Sequence, residues 1–261
     1  MKGIILAGGL GTRLHPLTKT TSKQLLPIYD KPLIFYPLST LMLAGIKSVL
    51  IIATPTQVDR FQELLGDGQE FGLLIEYQVQ QAPRGIAESL IIADHFLSGA
   101  NSALILGDNL FHGPGLGRRL ENFKDVIGAQ VFGYHVQDPR PYGVATIDQN
   151  NSVTILEEKP QNSNSKIAIP GLYFFDKTAP KRAKKLAPSA RGELEILDLL
   201  NSYLADDLLK LEMLPRGTAW FDSGTFEDLH EAGTYVKLMQ ERTGERVGDP
   251  SEIAKFRGWI S

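Results

Sequence analysis

Short apolar runs alternating with stretches of helical spacing organise the first half of the chain. Residues 2–7 form one run, ended by Gly8-Gly9, and residues 48–53, 73–79 and 103–106 form three more. Runs of this length bounded by turn residues suit buried parallel strands. Between them Leu33, Tyr36, Pro37, Leu38, Leu41 and Met42 share a helical period. The same holds for Phe61, Leu64 and Leu65, and then for Ala87, Leu90, Ile91 and Phe96. This alternation predicts an α/β fold with a Rossmann-like, doubly wound sheet. Ligands of such sheets lie beyond the carboxyl ends of the strands, so the loops after Ala7, Val79 and Leu106 should meet in one cleft.

From about residue 129 the pattern shifts to short strand-like runs, at 131–136, 143–147, 153–156 and 171–175. Helical stretches near 177–185 and 193–204 interrupt them. Thr225 can cap a long final helix with Phe226, Leu229, Val236 and Met239 on its buried face. With no repeat or linker, the expectation is one domain over 1–261, with halves at 1–128 and 129–261.

Composition narrows the chemistry. The chain has 261 residues, 43% hydrophobic and 22% charged, ordinary for a globular protein. Its formal charge of −3 leaves no basic footprint for nucleic acid, so a polyanionic substrate must be held by locally placed cations. The absence of cysteine excludes disulfides, thiolate nucleophiles and Cys-ligated zinc. The five histidines form no metal-spaced pair. No apolar stretch suits a signal peptide or a membrane span, and the expected location is the cytoplasm.

Against that background the segment Leu6-Ala7-Gly8-Gly9-Leu10-Gly11-Thr12-Arg13-Leu14 stands out. Glycines after a strand let backbone N–H groups approach phosphate oxygens, Thr12 adds a hydroxyl, and Arg13 adds a planar fork matched to phosphate. Lys23 follows ten residues on. The loop fits a nucleoside triphosphate. It is neither a G-x-G-x-x-G dinucleotide fingerprint, since Leu14 stands where the third glycine belongs, nor a P-loop, since G-K-[ST] is missing. Further along, Asp108 and Asp222 each follow an apolar segment and are, by themselves, equally turn residues or cation ligands. Glu158 and Lys159 end a strand-like run, where alternation would put only one of them in a cleft. Arg191-Gly192-Glu193 is expected to open a helix, an anion site in its own right.

Gly8 to Leu14 followed by Ser22-Lys23-Gln24-Leu25-Leu26-Pro27 resembles the signature of the sugar nucleotidylyltransferases. The resemblance continues through Asp30-Lys31-Pro32, Leu106-Gly107-Asp108-Asn109, Glu157-Glu158-Lys159-Pro160, Arg191-Gly192-Glu193-Leu194-Glu195-Ile196 and Ala219-Trp220-Phe221-Asp222-Ser223-Gly224-Thr225. It implies that family's mixed sheet with an inserted sugar-binding lobe. The implied activity is transfer of a deoxythymidylyl group from dTTP to α-D-glucose 1-phosphate, with Mg²⁺ as cofactor and pyrophosphate as leaving group. By resemblance Leu6, Gly8, Gly9, Gly11, Thr12, Arg13, Gln24, Gln80 and Gly85 bind the nucleotide. Asn109, Tyr142, Gly143, Glu158, Lys159 and Arg191 bind the sugar phosphate, and Asp108 and Asp222 hold the metal. Arg13, Lys23, Lys159 and Asp108 carry the catalysis. A homo-oligomer, tetramer or dimer, is also implied.

Four positions depart from the family pattern. Arg84 stands in place of an acid, Glu88 in place of an amide, Leu197 in place of Thr, and Ser223 in place of Thr. Arg84 and Glu88 either retune base preference or pair with each other at i, i+4. Longer members continue past the position of Ser261 into further helix, so feedback control through a regulatory nucleotide site is not expected. The nearest rival activity is the same chemistry with another pair, such as UTP and N-acetylglucosamine 1-phosphate. A non-catalytic sugar-nucleotide-binding homologue is the other rival.

Overall fold

A computed structural model describes every residue except Leu10, so that member of the Gly-rich loop lies outside the described residues. The fold is mixed α/β, as the pattern predicts, and the chain divides into two compact units. One comprises residues 2–83, 105–122 and 217–261; the other comprises Met1, 84–104 and 123–216.

In the first unit Lys2–Ala7, Ser48–Ala53 and Leu74–Val79 pair in parallel, with Gly3 opposite Val49 and Ile51 opposite Tyr77. Ile4, Ile5, Leu50, Ile51 and Ile52 are fully buried, which explains the unbroken apolar runs. Helices Phe35–Leu43 and Val58–Leu65 form where the period predicts them. A Cβ on Gly3 would come within 2.8 Å of Leu41 Cδ1, so the glycine sets how closely the first helix approaches the strand. Ala219–Phe221 pairs antiparallel with Leu110–His112. Thr225 caps the long helix Phe226–Thr243 in a capping box with Asp228. Val236, Leu229 and Met239 pack on the cluster of Ile28, Leu33, Tyr36 and Leu110 as expected. Phe226 does not, and is 44% exposed, because the first helical residue lies before the turn that meets the core. A last helix, Pro250–Phe256, went unpredicted although Asp249-Pro250 carries a cap and an N1 proline.

In the second unit Ala129–His135 pairs antiparallel with Leu172–Phe175 and with Ile167–Ala168, and parallel with Leu209–Met213. Gly143–Ile147 and Val153–Glu158 form an antiparallel hairpin with a register shift between Val153 and Ile155. Ser102–Leu106 begins in this unit and ends in the other. The third helix expected over Ala87 to Phe96 is two short helices, Glu88–Ile92 and Asp94–Leu97. The two later helical stretches are shorter than predicted, Ala179–Ala183 and Ile196–Leu204.

Candidate active site

The three loops expected to converge do so within the first unit. A Cβ on Gly8 would run into Gln80 Oε1, and one on Gly107 would sit 3.0 Å from both Gln24 Cγ and Leu6 O. Leu6, Gly8, Gln24 and Gln80 are therefore neighbours at the carboxyl ends of the strands. Gly11 has φ +61°, and Thr18 Oγ1 donates to its carbonyl at 2.6 Å, fixing the loop before the single turn Thr12–Leu14. Buried Leu14 anchors that turn from below. Arg13 stays exposed and makes no ion pair among the described residues, while open space surrounds Gly9. A loop with a free guanidinium is ready for an anion.

The antiparallel pairing of Phe221 with Leu110 carries Asp222 to Asp108 and Asn109. Lys23, only 8% exposed, donates from Nζ to Asp108 Oδ2 at 2.8 Å and to the Asp222 carbonyl at 3.3 Å. Asn109 Nδ2 donates to Asp108 Oδ1 at 2.8 Å and its Oδ1 accepts from Trp220 Nε1 at 2.7 Å, which fixes the rotamer of Asp108. Asn109 thus lies in this unit, oriented toward Asp108. The resemblance implies a contact of Asn109 with the sugar phosphate as well. Ser223 adopts φ +46°, turning the chain into Gly224 and the Thr225 cap. A Cβ on Gly224 would lie 3.5 Å from Arg13 Nη1, 3.5 Å from Asp228 Oδ2 and 3.6 Å from Asp222 Oδ1. Asp228 was missed, since an acid at the third helical position reads only as a capping-box partner.

Burial pushes the Asp222 carboxyl above its ordinary range. The charges of Asp228 and Asp108 add to that, against the opposing effects of Lys23 and the Gly224 N–H. Carboxyl oxygens are the donors that a hard cation such as Mg²⁺ prefers. Among the described residues no group of three or more His, Cys, Asp or Glu could hold a metal by itself.

The second unit gathers Tyr142, Gly143, Glu158, Lys159 and Arg191. Gly143 stands opposite Glu158 in the hairpin, and the strand stops there. Lys159 turns to φ +45°, with its N–H on the Tyr142 carbonyl at 3.0 Å. This bend resolves the alternation problem, because it returns Lys159 Nζ to 3.3 Å from Glu158 Oε1. A Cβ on Gly143 would meet Leu197 Cδ1 at 3.3 Å and Glu158 Oε2 at 3.5 Å, so a bare α-carbon keeps this surface open. Arg191 Nη2 lies 2.9 Å from Glu195, 3.7 Å from Glu193 and 3.9 Å from Glu158. Burial alone would lower its pKa, but the hydrogen bond to Glu195 and these three charges hold it above the ordinary arginine value.

Arg191 does not open a helix. Gly192, at φ +76°, reverses the chain, and the helix begins only at Ile196 after Glu195, so Arg191 acts by its own charge and not with a helix dipole. Gly85 also belongs to this unit. At φ +98° it leaves no room for a Cβ against the Leu194 backbone, whose N–H donates to Arg84 O at 2.8 Å and whose carbonyl accepts from Ala87 N at 3.1 Å. Arg84 Nη2 and Glu88 Oε1 pair at 2.7 Å, so the two departures from the family pattern answer each other at i, i+4.

The model of the nucleotidyl transferase family matches residues 2–237. A glucose-1-phosphate thymidylyltransferase of Xanthomonas campestris pv. campestris (strain B100) is 53% identical over 260 residues, covering 99% of this chain and 88% of that protein. The enzyme of that name from Mycolicibacterium smegmatis is 49% identical over 260 residues, covering 100% of this chain and 90% of its own. A solved structure described as a glucose-1-phosphate thymidylyltransferase from Bacillus anthracis, in complex with sucrose, matches with a TM-score of 0.83 at 39% identity. It covers 90% of this chain and 94% of that one. UDP-glucose pyrophosphorylase with UDP-glucose matches at TM-score 0.81 and 21% identity, over 91% and 98% of the two chains, a likeness of fold. Among the described residues no helix is long and apolar enough to cross a membrane.

Proposed function

The chain belongs to the nucleotidyl transferase family, and from that premise we propose that it transfers a deoxythymidylyl group from dTTP to α-D-glucose 1-phosphate. The products are dTDP-glucose and pyrophosphate. The observation that carries the reading is the buried Lys23 ammonium joined to Asp108 and the Asp222 carbonyl, in the same unit as the Gly-rich loop. Full-length relatives of one name support the substrate pair.

In this reaction an oxygen of the sugar 1-phosphate attacks the α-phosphorus of dTTP. The bond from that phosphorus to the β-bridging oxygen breaks, and pyrophosphate leaves with the electron pair. No enzyme nucleophile takes part, in keeping with a chain that lacks cysteine. The backbone amides of Gly8, Gly9 and Gly11, with Thr12 and Arg13, hold the phosphates and stabilise the leaving pyrophosphate. Gln24, Gln80 and Gly85 recognise the nucleoside, and Leu6 lines its seat. Lys159 and Arg191 hold the acceptor phosphate, and Glu158, Tyr142 and Gly143 orient the sugar. Lys23 and Asn109 keep Asp108 in place. Asp108 and Asp222 would hold Mg²⁺, which supplies charge neutralisation at the phosphates when bound. Positioning and electrostatics account for the catalysis, as in other phosphoryl-type transfers. The reading further makes the protein a cytoplasmic homo-oligomer, dimer or tetramer, working as a single catalytic domain over 1–261.

The test is pyrophosphate release from a panel of nucleoside triphosphates and sugar 1-phosphates, with and without Mg²⁺. Release with dTTP and glucose 1-phosphate, abolished by removing the metal, is expected. Release with only another pair, such as UTP and N-acetylglucosamine 1-phosphate, would move the activity to that pair. Silence with every pair would leave a binding protein.

A further inference from the structure

The turn from Ser189 to Glu195 carries Arg191, and its two ends are fixed by different means. At the far end Leu194 is bonded through its backbone on both sides, to Arg84 O at 2.8 Å and from Ala87 N at 3.1 Å. At the near end Gly192, at φ +76°, reverses the chain, and a Cβ there would meet nothing within 4 Å beyond its chain neighbours. What holds it is one residue. Ser189 Oγ donates to Glu195 Oε1 at 2.6 Å and accepts from the Arg191 amide at 3.3 Å. Ser189 N donates to Glu193 O at 2.8 Å, and Ser189 O accepts from Gly192 N at 2.8 Å. Glu195, held by that hydroxyl, then takes the Arg191 guanidinium from Nε at 3.3 Å and from Nη2 at 2.9 Å.

We propose that Ser189 is a positioning residue for the acceptor: its hydroxyl sets where Arg191 presents its guanidinium to the phosphate of the sugar 1-phosphate. The inference rests on the role given to Arg191 above and deepens it. The backbone bonds of Ser189 survive a side-chain change, so Ser189→Ala removes only the hydroxyl's hold on Glu195 and on the Arg191 amide. A half-exposed arginine, at 49% side-chain exposure, has many rotamers to lose on binding. The hydroxyl removes part of that loss beforehand by fixing both the backbone amide of Arg191 and the carboxylate that Arg191 leans on. Glu195 is also the residue just before the helix Ile196–Leu204, so the carboxylate itself sits on a rigid support.

Ser189→Ala and Ser189→Thr test this in the full chain. Ser189→Ala is expected to raise KM for glucose 1-phosphate roughly tenfold, the scale of one hydrogen bond to a charged group. KM for dTTP and kcat at saturating acceptor should stay within about twofold, because nothing that touches the triphosphate is altered. Ser189→Thr, which keeps the hydroxyl, should restore most of the loss. As a readout independent of turnover, glucose 1-phosphate should raise the melting temperature of the wild type and do so less for Ser189→Ala. A Ser189→Ala enzyme with wild-type KM for both substrates and a wild-type melting shift overturns the inference and leaves the proposed activity standing. A fall in kcat with equal rises in both KM values also overturns it, since that marks general loosening. A wild type that neither turns over any substrate pair nor responds to any sugar 1-phosphate removes the acceptor site itself, and the inference goes with it.

Discussion

Arg13 shows how a single residue acquires its chemistry from what it does not touch. It follows a loop whose glycines leave room for phosphate, and it makes no ion pair among the described residues. Carboxylates are near, because a Cβ on Gly224 would lie within 3.6 Å of Arg13 Nη1, Asp228 Oδ2 and Asp222 Oδ1 alike. A guanidinium kept free beside acids fits the charge that develops on a leaving pyrophosphate. Arg13→Ala should therefore lower kcat by about 10²–10³ with dTTP and glucose 1-phosphate, measured as pyrophosphate release. Arg13→Lys should recover only part of it, since an ammonium cannot reproduce the fork. Near-normal turnover of Arg13→Ala would place the stabilising charge elsewhere. By contrast Lys159 gains its place from strain: its φ of +45° is what brings it alongside Glu158.

Elements bring such residues together, and here the sequence was unevenly legible. Lys2–Ala7 and Ser48–Ala53 match the apolar runs because buried strands need nothing but continuous burial. The Thr225 cap was readable because its chemistry is local. Leu209–Met213 was not, since the alternation of Leu, Lys, Leu, Glu and Met acquires meaning only beside Ala129–His135. The site followed the same division. The Gly-rich loop stands out in the chain by its glycines alone, whereas the bend at Lys159 depends on its bond to Tyr142 in the neighbouring strand. His112 is another such contact, joining the strand Leu110–His112 to the helix Phe226–Thr243 through Nδ1 and the Tyr235 hydroxyl at 2.7 Å. Burial lowers the His112 pKa below 6.5, partly opposed by the charge of Glu245. The folded state thus resists protonation more than the unfolded chain does. The stability this contributes is complete above pH 6.5 and is lost as pH falls from there through the folded pKa. Denaturant melts of wild type and His112→Gln should converge in stability on acidification through that window. A parallel decline of both would assign the acid sensitivity to other groups.

At the scale of the molecule the division of labour crosses the order of the chain. The residues proposed for the triphosphate and the metal belong to one compact unit, while Gly85 and those proposed for the acceptor belong to the other, because 84–104 joins 123–216. Gly85 is consequently packed against Leu194, whose backbone bonds Arg84 and Ala87 on either side of it, in the same turn as Arg191. Charge is distributed as sparingly. A formal −3 over 261 residues supplies no attractive field for a nucleotide that is itself a polyanion, so cations such as Arg13, Lys23, Lys159 and Arg191 must act at contact. Steered association raises rates by about 10–10³ and collapses as salt is added. This protein should show little of that. Between about 0.02 and 0.15 M salt, where the Debye length shortens from roughly 20 to 8 Å, kcat/KM for dTTP should change by less than about threefold. The opposing changes explain why: screening relieves the long-range repulsion between substrate and protein while it weakens the exposed contacts at Arg13. Lys23, buried against Asp108, is screened much less than either. Stopped-flow or initial-rate measurements across that range decide the matter. A fall of tenfold or more would mean that cations gathered on one face generate a local field strong enough to overcome the net charge.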